Sequence, residues 1–323
     1  MWLSIFLYAF FILLTCTEDV IGGLSIDNLY QQTFVALRNN DYSSGKEYLR
    51  SILNNSPDEL LALQLLGSVE CALKEYALCA YYLEKAVVLD DYKNTTYLAN
   101  YIEGLKLSGN LSFAIIEGER AFNKHPTDAS IPYNLAGCYL GAGLQDKAEE
   151  FYRITAQNNP RKVKAWSKLI YSVIVRGDYE YADYLLTTVF EYAASTTPPI
   201  PELSSSVDLL YYRGFVKQQL KQFQEAVSMY RTVISLDPEY HMVHANLAAL
   251  HHSMGNVQLA VTTYEHKLND YLDDAAVLSN YAALLSLVDR EKESIYWLNR
   301  SYALNPKVEY TCMNLASYYQ EIG

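Results

Sequence analysis

Cations are scarce in this 323-residue chain. Against 37 Asp+Glu stand 25 Lys+Arg, a formal charge of −12. A surface of that sign repels phosphate backbones, whose capture depends on cation-driven counterion release, so no nucleic-acid partner is expected. Cysteine is scarce too. Cys16, Cys71, Cys79, Cys138 and Cys312 have neither zinc-site spacing nor the density of a disulfide scaffold. Cys71 and Cys79 fall at the end of one predicted helix and the start of the next. Two buried thiols are the common outcome there, with a bridge as the alternative. The chain also lacks a phosphate loop, a G-x-S-x-G elbow and a dinucleotide fingerprint. His241, His244, His251 and His252 cluster, but no i, i+4 pair exists among them to grip a metal. No catalytic residue, metal or cofactor is expected.

One apolar run stands apart. Met1–Cys16 carries no charge and is shorter than the roughly 20 residues of a membrane span. Residues 1–23 read as a secretory signal, although Lys and Arg are missing from its start. Cleavage points lie near Thr15 and Thr17 or around Gly22. An uncleaved anchor and a buried capping segment are the alternatives. The expected location is the secretory pathway, lumenal, secreted or membrane-anchored, and cytoplasmic if the run is not a signal. Any membrane attachment is expected only through this segment. Four N-x-S/T sequons, at Asn54, Asn94, Asn110 and Asn299, are too close to chance for this composition to add weight.

What the chain has in abundance is tyrosine, thirty in all, and apolar residues, which make up half of it. That composition belongs to an ordered, well-buried protein. Its organisation is repetitive. In ASIPYNLAGCYLGAGLQDKAEEFYRITAQNNP (residues 129–160), Leu135, Ala136 and Tyr139 share one face of a first helix. Gly143 can stop that helix, Ala148 and Tyr152 open the buried face of a second, and Pro160 closes the unit. The frame recurs from Ile26, Leu60, Thr95, Ala129, Val163, Val207, His241, Ala275 and Glu309, at intervals of 34, 35, 34, 34, 44, 34, 34 and 34 residues. Small residues at positions 8 and 20, such as Gly67, Ala136, Gly214, Ala148 and Ala226, let paired helices approach closely.

These spacings resemble the W-x2-L-G-x2-Y, A, F, P pattern of the tetratricopeptide repeat (TPR) over residues 26–323. The resemblance implies an all-α fold, a right-handed α-solenoid of antiparallel helix pairs. It also implies a protein or peptide partner, held on the concave face at positions 2, 5, 6, 9, 12 and 13 of each first helix. Position 6 repeats asparagine at Asn100, Asn134, Asn246, Asn280 and Asn314. That line is similar to the one in the TPR arm of O-linked N-acetylglucosamine transferases. An Asn carboxamide both donates and accepts, so it suits an extended peptide backbone. The alternative is that Asn is simply common at this position. Aromatics at positions 5 and 9, Phe34, Tyr133, Tyr171, Tyr211 and Phe215, offer apolar anchors, with packing within the array as the alternative. Asn134, Lys164 and Lys168 match the later part of the carboxylate clamp of TPR co-chaperones, but Ala99 and Glu103 stand where Lys and Asn are needed. Lys164 and Lys168 remain as a local anion site or as solvated cations.

Residues 195–206, rich in Pro and Ser, are expected to form an extended loop between units one to five (26–194) and the later units (207–323). The ninth unit is read only as far as its first helix. There Leu315, Ala316 and Tyr319 are expected to face a missing second helix, which suggests self-association or a longer product. A non-catalytic binding scaffold is the leading functional expectation. The alternative is the substrate-selecting arm of a larger enzyme such as a glycosyltransferase.

Overall fold

The structure, a computed structural model, describes residues 25–307 and 309–321, without the side chains of residues 309, 310, 317, 318 and 321. The apolar segment 1–23 lies outside the described residues. The described chain is all α, without a strand, and no helix in it is long and apolar enough to cross a membrane. It divides into two compact units, one ending at Ala165 and the other beginning at Trp166.

In the first unit, α1 (Ile26–Arg38) pairs with α2 (Tyr42–Asn55), and α3 (Leu60–Ala72) with α4 (Tyr76–Leu89). There α5 (Thr95–Leu107) pairs with α6 (Leu111–Lys124), and α7 (Ser130–Gly141) with α8 (Gln145–Asn158). The division falls within α9 (Val163–Arg176). The second unit continues with α10 (Tyr179–Ser195) and α11 (Pro201–Ser204). Then come the pairs α12 (Val207–Gln219) with α13 (Phe223–Leu236), α14 (His241–Ser253) with α15 (Val257–Glu265), and α16 (Ala275–Ser286) with α17 (Glu291–Leu304). The last described element is α18 (Glu309–Glu321). The fold is an α-solenoid of antiparallel helix pairs.

One turn geometry closes every pair. The residue at position 15 of the frame takes a left-handed conformation in Asn40, Lys74, Gly109, Gly143, Gly177, Lys221, Gly255 and Asp289, with φ between 57° and 84°. The next N–H reaches back to the carbonyl five residues earlier, as from Asp41 to Ala36, Asn110 to Leu105 and Arg290 to Leu285, at 2.8–3.3 Å over the eight turns. This is the six-to-one hydrogen bond that ends a helix and reverses the chain. The helices it joins meet at small residues. A Cβ on Gly67 would stand 2.6 Å from Leu83 Cγ, and one on Gly214 would stand 2.7 Å from the Tyr230 ring.

The core is filled with tyrosine as much as with aliphatics. Tyr139, Tyr230, Tyr264 and Tyr281 are fully buried, and each hydroxyl has a partner: Glu119, Gln218 (2.9 Å), Asn280 and Glu265 (3.2 Å) respectively. Burial without those partners would cost roughly 1–3 kcal/mol per hydroxyl. Glu70 is likewise buried, held by Lys46 at 2.8 Å and Arg50 at 3.6 Å.

Three expectations are corrected. Cys71 and Cys79 are not a pair of thiols but a disulfide that joins the end of α3 to α4, with Cα atoms 5.0 Å apart. The turn between those helices brings their ends within bridging distance, which eight residues of separation did not reveal. The Pro/Ser-rich stretch is not simply an extended loop. The Ile200 N–H donates to the Ala193 carbonyl (3.1 Å), residues 201–204 form one helical turn, and Ile200 and Leu203 are buried. Two apolar side chains among the prolines draw the segment onto α10. At α18, Leu315 is already buried against Ala282, Leu298 and Trp297, whereas Ala316 and Tyr319 are exposed.

The 35-residue interval places its extra residue between α4 and α5. Asp91 and Tyr92 both take positive φ there, 53° and 55°. The Lys124 ammonium from α6 donates to both of their carbonyls (3.3 and 2.9 Å), and the Arg120 guanidinium lies 4.5 Å from the Tyr92 ring centroid.

The turn geometry predicts opposite signs for two substitutions. Gly143 has open space around it, so Gly143→Ala adds only backbone strain and should lower stability by about 1 kcal/mol. Lys221→Gly should raise stability by a similar amount, about 1 kcal/mol, by relieving the same strain. Urea unfolding midpoints of the two variants check both.

Candidate functional site

The asparagine line is not a row of free carboxamides. Asn134 Nδ2 donates to the Ala99 carbonyl at 2.5 Å, and Asn246 Nδ2 donates to the Tyr211 hydroxyl at 2.7 Å. Both bonds reach back 35 residues, from position 6 of one first helix to position 5 of the helix before it. The amide thus fastens neighbouring repeats. Asn280 is exposed yet hydrogen-bonded to Tyr264. Asn100 keeps a buried Nδ2 with no partner, and Asn314 is half-buried.

The aromatics divide as well. Tyr171 is 53% exposed, but Tyr211 is only 7% exposed and belongs to the interior, contrary to its expected place on the open face. Its ring centroid lies 5.9 Å from Tyr212, 6.0 Å from Tyr230 and 5.2 Å from Tyr240, and Tyr212 in turn lies 6.1 Å from Tyr171. Burial, with the Asp208 carboxylate nearby, pushes the Tyr212 phenol up to about 12. The same two causes raise Tyr240, whose hydroxyl donates to Asp208 at 3.2 Å. These phenols therefore stay neutral donors at physiological pH. Phe215 is half-buried, edge-on to Tyr179 at 6.2 Å. In the first unit, Tyr133 sits under the Lys162 ammonium (4.3 Å), and Phe34 stacks on Tyr30 (6.2 Å). Lys164 and Lys168 are both exposed.

Another group on this face completes the second unit. Met242 at position 2, Leu287 at position 13 and Met313 at position 5 are 61%, 59% and 57% exposed. Their frame positions carried the signal, but attention to asparagine and aromatics passes over them. Across the six face positions of α14 and the six of α16 there is no Asp, Glu, Lys or Arg. Ala245, Ala249 and Ala283 keep the wall low between the larger side chains. By contrast, α5 in the first unit presents Glu103 and Lys106 as an ion pair at 2.6 Å.

His244 and His251 are packing residues. Both are buried, with His244 Nε2 3.1 Å from the Pro238 carbonyl oxygen. Among the described residues no His, Cys, Asp or Glu group is placed to hold a metal ion.

Residues 207–240, the sixth unit of the frame, match the tetratricopeptide repeat family. The fold is that of the tetratricopeptide repeat. Among solved structures, PilF of Pseudomonas aeruginosa is 18% identical with a TM-score of 0.56, over 68% of this chain and 96% of that one. A chain of the APC/C hetero-tetramer Cut9–Hcn1 is 15% identical with a TM-score of 0.55, over 88% of this chain and 54% of that one. At such identities the likeness is one of fold. No curated protein sequence matches the chain.

Two outcomes follow from these TPR contacts. Asn246→Ala removes the donor to Tyr211 and should lower the urea unfolding free energy by about 1 kcal/mol. Burial and the Arg231 charge hold His251 below its usual 6.5, so the folded state binds its proton later than the unfolded state does. Its contribution to stability is present above pH 6.5 and is lost as pH falls through the depressed folded value. His251→Gln should therefore flatten the stability loss as pH falls below 6.5, read by urea titrations at each pH.

Proposed function

We propose that this chain is a non-catalytic protein-binding scaffold. Its first-helix face in the second unit captures an uncharged, apolar-anchored segment of a partner protein. The observation that carries the reading is the uncharged stretch on α14 and α16, flanked by exposed Met242 and Leu287, in a chain of net charge −12. Exposed large apolar side chains on a face depleted of charge have the make-up of an interface core. The alanines between them leave room for a partner's side chains, and the exposed Asn280 borders that space with a polar edge. Met242 lies in the first turn of α14 and Leu287 just past the end of α16, so the two mark opposite ends of the face. The segment proposed for it is an extended peptide or one face of a short helix.

The matched chain of the Cut9–Hcn1 hetero-tetramer uses this fold within an assembly of proteins, which supports a protein-binding use of it here. The charge-free run at Met1–Cys16 supports entry to the secretory pathway, with or without membrane attachment through that segment. The Cys71–Cys79 disulfide is in keeping with an oxidising compartment.

Selection from a random peptide library tests the face. Enriched peptides should lack Asp, Glu, Lys and Arg, and the double variant Met242→Glu, Leu287→Glu should weaken them at least tenfold, about 1.4 kcal/mol, with helicity unchanged. Enrichment of acidic peptides that depend on Lys164 and Lys168 would sink the proposal.

A further inference from the structure

We propose that Asn110 carries an N-linked oligosaccharide, an inference that rests on the secretory reading above. The sequence offers four acceptors with the N-x-S/T pattern. The structure separates them by what their side chains already do.

Asn94 caps α5, its carboxamide oxygen accepting from the Thr96 and Tyr97 N–H groups at 2.9 and 3.3 Å. Asn299 lies inside α17 with its Nδ2 bonded to the Ile295 carbonyl at 3.0 Å. The hydroxyl its sequon supplies, on Ser301, is fully buried and donates to the Ala275 carbonyl at 2.7 Å. Asn54 sits in the last turn of α2, a helix closed by the bond from Ser56 N–H to the Ile52 carbonyl at 2.8 Å.

Asn110 differs from Asn94 and Asn299 on each count, and from Asn54, which is exposed too, in its non-helical backbone and in the exposure of its sequon's hydroxyl residue, since Ser56 is half-buried. It stands in the turn between α5 and α6 with a non-helical backbone (φ −88°, ψ 58°), and its side chain makes no capping hydrogen bond. Both Asn110 and Ser112 are exposed. Beside it, a Cβ added to Gly109 would meet nothing within 4 Å, so the turn has open space around it. An acceptor amide with no capping bond, an accessible hydroxyl two residues on and room for a bulky group coincide only here among the four sequons.

The chemistry is a group transfer. The Asn110 Nδ2 attacks the anomeric carbon of an oligosaccharide carried on a polyprenyl pyrophosphate. The new C–N bond replaces the C–O bond to pyrophosphate, the leaving group takes the electron pair, and the amide gives up one of its two protons. No redox step is involved. The Ser112 hydroxyl positions the amide for attack.

The test uses the full chain expressed in insect cells in two forms. One keeps residues 1–23, and the other carries a heterologous cleavable signal in their place. Peptide mass spectrometry before and after peptide-N-glycosidase reads each sequon. Glycan at Asn110 in both forms, abolished by Asn110→Gln and kept by Ser112→Thr, is the expected result. Glycan only in the second form upholds the Asn110 site and overturns the secretory reading. An unmodified Asn110 in chains that have entered the lumen, or occupancy at Asn94 or Asn299 in its place, overturns the site itself.

Discussion

The left-handed residue at position 15 is the constraint on which everything else hangs. A helix must be stopped, reversed and restarted within three residues for its partner to lie against it. The same hydrogen bond does this eight times, with glycine in four turns and Asn, Lys, Lys and Asp in the others. Once the turn is set, position 8 lies so close to the paired helix that not even a Cβ fits between Gly67 and Leu83 or between Gly214 and Tyr230. The long side chains are pushed to the layers on either side. This is why tyrosine, with its flat ring and polar tip, is so abundant. It fills the gap between repeats and still finds a partner for its hydroxyl.

The fold was legible because its determinants are local. A turn residue, a small residue and an apolar face all repeat within 34 positions, so periodicity alone reveals them. The misreadings concern contacts with no period. The approach of Cys71 to Cys79 depends on one turn, and the docking of Ile200 and Leu203 depends on the flank of one helix. Neither recurs elsewhere to announce itself. The candidate face was legible in position but not in chemistry. Asn134 and Asn246 sit where the frame puts them, yet their amides point along the array to the preceding first helix. Tyr211 has the same history, since a position-5 aromatic is open or enclosed according to its neighbours, here Tyr240 and Tyr230.

A division of labour emerges between packing and recognition. The polar side chains that looked most suited to gripping a peptide largely hold repeats together. On the reading proposed above, recognition falls to exposed apolar side chains of the first-helix face such as Met242 and Leu287.

The doubled left-handed step at Asp91 and Tyr92 bears on how such a chain can evolve. In an array of identical modules, a unit can be duplicated, deleted or exchanged by recombination at equivalent points. Here the odd residue is gripped by Lys124 and Arg120 of the following module. The second and third modules are therefore keyed to one another and would be inherited as a block. A crossover between them would join a lengthened turn to a helix without the cations that hold it.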